Sequence, residues 1–171
     1  MGFSVEDEGW MRLALVEAEK ALAHDDVPVG AVAVLRGDLI GTGHNRREAE
    51  NDPTAHAEMI AIRQAAQKIG FWRLEEVTLY CTLEPCCMCA GAMVLARLPR
   101  LVYATVDPKA GAAGSLLDLL RHPQLNHSVQ VEHGLLADEA AGLLHEFFRK
   151  LRAEGQNGRG RFIRSETPQE S

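Results

Sequence analysis

The sequence predicts an α/β domain, and two stretches carry that expectation. VPVGAVAVLRGDLIGTGHN alternates short apolar runs around Arg36-Gly37-Asp38, the pattern of two strands joined by a tight turn. From 77 to 106 a strand-like run, a helix-opening Pro85 and a second strand-like run follow one another. That order is a strand-helix-strand crossover, whose two strands lie parallel.

Taken in chain order, Ser4 caps a helix over about 5 to 23. Its apolar positions Met11, Leu15, Ala18 and Leu22 keep helical spacing, and acids in the first turn complement the dipole. The hairpin follows, then a charged loop from Arg46 to Asp52. Thr54, after Pro53, starts a second helix to about Lys68 with Met59, Ile62, Ala66 and Ile69 on one face. Valine, threonine and tyrosine make EVTLYCTL a strand. Pro85 suits the opening of the next helix, because its missing N–H is not needed there. That helix ends before Pro99, and RLVYATV is the returning strand. AGAAGS lacks the Lys and Ser/Thr order of a phosphate loop and is expected to be a tight turn. A short helix at 115 to 120, a strand SVQVEH and a final helix at 137 to 152 complete a single domain over residues 1–152. Residues 153–171 have turn formers, charges and little to bury, and are expected to be mobile.

With 171 residues, 46% of them hydrophobic and 25% charged, the chain suits one globular domain. Roughly two-thirds of its unfolded surface can be buried without disulfide or metal support. A metal here would therefore serve chemistry. The acidic start MGFSVEDEGW is no secretory signal, and no apolar run approaches the ~20 residues of a membrane span. A cytoplasmic location is expected, where thiols stay reduced, so disulfides among Cys81, Cys86, Cys87 and Cys89 are disfavoured. The net charge of −6 argues against a globally basic nucleic-acid binder. Between Arg149 and Arg164, however, six basic residues face one acid, Glu154. Local charge of this kind can dock a phosphate backbone.

LEPCCMCAG crowds three cysteines into four positions. Cys86 and Cys89 share a face at i and i+3 near a helix start, whose partial positive charge favours the thiolate that metals bind. Upstream, TAHAEM places His56 two residues before Glu58 at another helix start. His56, Cys86 and Cys89 make three zinc ligands with a fourth position open to water, the arrangement of a catalytic site. Zinc lowers the pKa of that water and supplies hydroxide. Glu58, two residues from His56, is expected to face away from it on the helix and to carry protons rather than bind metal. The pair H-x-E with P-C-x-x-C is the known signature of zinc nucleobase deaminases, matched here as His56-Ala57-Glu58 and Pro85-Cys86-Cys87-Met88-Cys89.

Rival readings weaken on spacing. C-x-x-C alone would also suit a redox pair. Cys81, Cys86 and Cys89 fit an iron–sulfur spacing, but no fourth cysteine follows. A four-cysteine structural zinc site would need adjacent Cys86 and Cys87, which point about 100° apart on a helix. Cys81 and Cys87 are expected to be small buried hydrophobes. Phe147, Phe148 and Arg149 suit base stacking or core packing, and Asn45 suits a substrate contact or a turn.

Longer segments resemble one family, the bacterial tRNA-specific adenosine deaminases: VPVGAV (27–32), GHNRRE (43–48), DPTAHAEM (52–59), LYCTLEPCCMCAGAM (79–93), DPKAGAAGSL (107–116), HPQLNH (122–127) and GLLADEAAGLLHEFFR (134–149). The zinc motif is common to all cytidine deaminase-like enzymes, and the segments beyond 100 are what point to tRNA. The resemblance implies a three-layer α/β/α fold, cytidine deaminase-like, with a central mixed five-stranded sheet, in agreement with the five strands counted above. It implies one Zn2+ per subunit on His56, Cys86 and Cys89, with Glu58 as proton shuttle. It implies that Asn45 contacts the target nucleoside and that Asp107 and Asn126 hold it or its neighbours. Phe147, Phe148 and Arg149 would lie beside the anticodon loop, in a homodimer with substrate near the subunit interface. The implied reaction converts adenosine to inosine at the wobble position of a tRNA anticodon, with an arginine tRNA bearing ACG as the expected partner.

An unpaired anticodon base can be splayed into a pocket at little cost. Arg46, Arg47, Lys109, Arg149, Lys150 and Arg152 are candidate phosphate contacts. Two residues depart from the family pattern: Cys87, where an aliphatic residue is frequent, and Thr105, where a smaller Ala is familiar. The enzymatic alternative is a zinc deaminase of free cytosine, dCMP or guanine. The non-enzymatic one is a structural zinc module that binds RNA, which leaves Glu58 without a role.

Overall fold

The computed structural model describes residues 2–155. Most of the segment expected to be mobile, from 156 onward, lies outside the described residues. The elements are α1 (Val5–Lys20), β1 (Gly30–Leu35), β2 (Asp38–His44), α2 (Arg47–Glu50), α3 (Ala57–Ile69), β3 (Val77–Leu83), α4 (Cys87–Leu95), β4 (Arg100–Thr105), β5 (Gln130–His133) and α5 (Ala137–Ala153).

Five strands form one mixed sheet in the order β2-β1-β3-β4-β5. β1 pairs antiparallel with both β2 and β3, while β3, β4 and β5 run parallel. The hairpin and the crossover over 77–106 are both present. Alternation along the strands sorts the core into two layers. Ala31, Ala33, Leu79, Cys81, Leu101 and Tyr103 face α3 and α4. Val32, Val34, Tyr80, Val102 and Ala104 face Met11, Ala14 and Leu15 of α1 and Ala140 of α5. The result is the three-layer α/β/α arrangement. No helix among the described residues is long and apolar enough to cross a membrane.

Helix boundaries differ from expectation for local reasons. α1 has the full capping box of Ser4 and Asp7, and continues as a 3-10 turn over Ala21–His24, leaving Leu22 exposed. Arg47–Glu50, expected as loop, is one helical turn. Thr54 caps no helix: its N–H and hydroxyl both donate to Asp52 Oδ1 at 2.7 Å, and α3 begins three residues later. The buried face of α3 centres on Ala57, Ala61, Ile62 and Ala65, with Ile69 exposed. Pro85 stands two residues before α4 rather than within it. No helix forms at 115 to 120, because Gly114 has φ +132° and the N–H groups of Ala113 and Ser115 turn to the Glu84 carboxylate. Cys81 is buried as expected, but Cys87 is exposed, since α4 turns Cys89 inward and the first helical residue outward.

A buried polar cluster ties α1 to the sheet. Asp7 Oδ1 accepts from the Tyr80 hydroxyl (2.8 Å) and Arg100 Nη1 (2.7 Å), and Arg100 also reaches Glu132 on β5. Burial alone would raise the Asp7 carboxyl. Arg100, the Ser4 donors and Tyr80 outweigh it and hold Asp7 well below the usual carboxylate range. Because the folded value is depressed, this stabilisation is complete above the unfolded value of about 4 and is lost as the pH falls below it. Asp7→Asn should lower the unfolding free energy by about 2–3 kcal/mol at neutral pH. In urea titrations the gap to wild type should narrow between about pH 5 and 3, whereas a constant gap would refute the assignment.

Candidate active site

α3 and α4 lie on the same face of the sheet and begin at the same end of it. The first residue before each helix is a functional side chain. His56 caps α3 in an extended conformation (φ −81°, ψ 151°) and Cys86 caps α4 likewise (φ −75°, ψ 176°). Neither side chain makes the usual capping bond to its own helix. Both are free to point at each other. Gly43 on β2 allows this closeness: a Cβ there would stand 2.2 Å from the carbonyl oxygen of Ala57, so only glycine lets the first turn of α3 sit on the strand.

His56 Nδ1 stands 3.6 Å from both Cys86 Sγ and Cys89 Sγ. Among the described residues, His56, Cys86 and Cys89 are the group able to hold a metal ion, with ligand atoms all within 4.8 Å of one another. Bonds of about 2.3 Å to sulfur and 2.0 Å to nitrogen at tetrahedral angles put N and S roughly 3.5 Å apart. The donor set therefore fits a tetrahedral zinc with little movement. Its electrostatics agree. The Cys86 thiol is pulled down to about 3, first by the hydrogen bond from Cys89 and then by His56. Cys89 is pushed up by the same shared bond and by burial, and His56 is raised by Cys86. The shared bond, together with the two helix N-termini, favours the thiolate form that a metal binds.

Glu58 corrects an expectation drawn from helical spacing. It does not face away from His56, and both line one cavity of about 480 Å³. His56 precedes the helix in extended backbone, so the 100° step between helical residues does not apply to the pair. Glu58 is buried, its Oε2 has no hydrogen-bond partner, and burial pushes its carboxyl up to about 7. It is not in the ligand group.

The cavity opens at the carboxyl ends of parallel β3 and β4. Asn45 and Arg47 contribute from the segment after β2, Thr105 from the end of β4, Asp107 and Lys109 from the segment that follows it, and Leu144, His145 and Phe148 from α5. Asn45 Nδ2 donates to the Val27 carbonyl and its Oδ1 accepts from Arg47 N–H. Asp26, almost fully buried, accepts the N–H groups of Glu48 and Ala49 and so anchors this segment. Three residues expected near substrate do not line the cavity. Phe147 is half-buried, with its ring edge-on to Phe148 at 5.3 Å, Arg149 pairs with Glu146 at 2.7 Å, and exposed Asn126 accepts from Arg97 at 3.1 Å. Sequence reasoning missed His145, which shares the cavity-facing side of α5 with Phe148, and Glu84, which stood unassigned in the cysteine motif.

The MafB19-like deaminase family matches residues 5–152. The tRNA-specific adenosine deaminase of Bacillus subtilis (strain 168) is 47% identical over 154 residues, 90% of this chain and 96% of that protein. A structure from studies of A-to-I editing by tRNA:A34 deaminases at the wobble position is 46% identical with a TM-score of 0.77, covering 80% of this chain and 99% of its own. A guanine deaminase from Nitrosomonas europaea superimposes with a TM-score of 0.71 at 27% identity, covering 82% of this chain and 83% of its own. With a family match across the whole sheet and near half identity along nine-tenths of the chain, this protein belongs to the MafB19-like deaminases and, within them, to the bacterial tRNA-specific adenosine deaminases.

Proposed function

We propose that this protein hydrolyses adenosine to inosine at the wobble position of a tRNA anticodon. The observation that carries it is a buried, unpartnered Glu58 carboxylate oxygen beside a His-Cys-Cys metal-ligand group, at the bottom of a cavity with a basic rim. His56, Cys86 and Cys89 hold one Zn2+ per subunit. When bound, the ion supplies an activated water at neutral pH. Glu58 does the proton work: it takes the proton from the attacking water, returns it to the ring nitrogen, and helps the amine depart as ammonia. The unpartnered Oε2 is free for both steps, and burial keeps bulk water from competing.

Asn45, Asp107 and Phe148 contact the target nucleotide from three walls. Phe147, Arg149 and Asn126 meet the RNA beyond the cavity. Arg47 and Lys109 at the rim attract its phosphates. This rim favours a polynucleotide over the free guanine or cytosine that an enclosed pocket would select. The partner is the anticodon stem-loop of an arginine tRNA with anticodon ACG, in the cytoplasm. Assembly as a homodimer belongs to the same reading.

Purified protein should carry about one zinc per chain, and His56→Ala or Cys89→Ala should lose most of it by elemental analysis; retention by either variant refutes the ligand set. Incubated with the ACG stem-loop, the wild type should yield inosine, read as A-to-G in cDNA, while Glu58→Gln keeps its zinc and loses roughly 10²–10⁴-fold in rate. Ammonia release from guanine or cytosine, with none from the stem-loop, would replace tRNA by a free base as substrate.

A further inference from the structure

Glu84 joins the end of β3 to the cysteine turn and is only 2% exposed. Among the described residues, the donors to its carboxylate all come from one segment. Oε2 accepts from Asp107 N–H (2.9 Å) and the Ser115 hydroxyl, and Oε1 accepts from Ala113 N–H (3.1 Å) and Ser115 N–H (3.0 Å). Burying a carboxylate is expensive unless donors replace its water, and here the loop itself replaces it. Gly111 completes the fit: a Cβ there would come within 2.3 Å of the Glu84 carboxyl carbon. The segment has no helix to satisfy its N–H groups, so Glu84 serves as their common acceptor.

What Glu84 holds is a wall of the cavity. Asp107, Pro108, Lys109 and Ala110 all line it. The Asp107 carboxylate in turn accepts the N–H groups of Lys109 (2.9 Å) and Ala110 (3.2 Å), so anchoring Asp107 anchors the turn that presents Lys109. Pro85 O accepts Ala112 N–H (2.8 Å), which ties the same segment to the residue before Cys86.

We propose that Glu84 is a positioning residue for the polynucleotide substrate: by gathering the N–H groups of Asp107, Ala113 and Ser115 it fixes the 107–110 wall against the cavity, and so governs substrate affinity more than the chemical step. The substrate half rests on the tRNA reading above; the loop half does not. Glu84→Gln preserves size and one carbonyl oxygen. An amide that keeps the bonds to Ala113 and Ser115 turns its own NH2 toward Asp107 N–H and releases it.

The test combines hydrogen exchange with kinetics on the zinc-loaded full chain. In Glu84→Gln, exchange at amides 107–115 should accelerate about tenfold or more while β3 amides and zinc content stay as in wild type. KM for the ACG stem-loop should rise about tenfold with kcat within about threefold, and Asp107→Ala added to Glu84→Gln should cost little more. Ser115→Ala should shift both readouts the same way by less, which keeps the proposal testable if Glu84→Gln does not fold. Unchanged exchange overturns the proposal, as does faster exchange with an unchanged KM. A joint fall of kcat, zinc content and melting temperature would make Glu84 merely structural and also overturn it. A wild type inactive on the stem-loop would instead overturn the tRNA reading, separately from an active wild type that Glu84→Gln leaves unaltered.

Discussion

Two helix N-termini, left without side-chain caps and turned toward each other, are the constraint on which the site depends. An ordinary helix start spends a Ser, Thr, Asp or Asn on its own orphan N–H groups. Here the capping positions hold His56 and Cys86, whose side chains meet across the gap between α3 and α4 instead. The stability forgone at each uncapped end is about 1 kcal/mol. In exchange, the positive ends of two helices converge on soft, ionisable donors, which favours the thiolate form.

The rest of the architecture keeps those two ends together. β3 and β4 run parallel, so α4 must cross back over the sheet on the face that α3 already occupies. Small residues let the layers approach: Gly43 under Ala57, then Ala61 and Ala65 along α3. α3 also covers the open edge of β2, where Gln64 accepts from Thr42 N–H and Lys68 donates to the Leu39 carbonyl. Among the described residues, α5 alone reaches the cavity from the opposite layer, lining it with Leu144, His145 and Phe148.

Much of this was legible in the sequence because it depends on short-range pattern. Short apolar runs around Arg36-Gly37-Asp38 and the Val, Thr and Tyr content of EVTLYCTL marked strands, and the spacings His56-x-Glu58 and Cys86-x-x-Cys89 marked the donors whatever the exact start of each helix. Features that depend on distant partners were not legible. Thr54 looked like a cap until Asp52 claimed both its donors. Residues 115 to 120 suggested a helix, but a carboxylate some thirty residues earlier takes the N–H groups of Ala113 and Ser115. The same gap hid the direction of Glu58, since helical angles were applied to a His56 that stands outside the helix. Asn126, Phe147 and Arg149 carried a family expectation, yet in this chain they lie outside the cavity lining.

An open metal centre with two sulfur ligands and one imidazole, not a closed thiolate cage, is the arrangement proposed for His56, Cys86 and Cys89. X-ray absorption at the zinc edge of the zinc-loaded protein addresses it directly. Two sulfur scatterers at about 2.3 Å and two nitrogen or oxygen scatterers at about 2.0 Å, unaltered by Cys81→Ala or Cys87→Ala, are the result expected. Three or four sulfurs, with one lost when Cys81 or Cys87 is replaced, would contradict it and make the zinc structural.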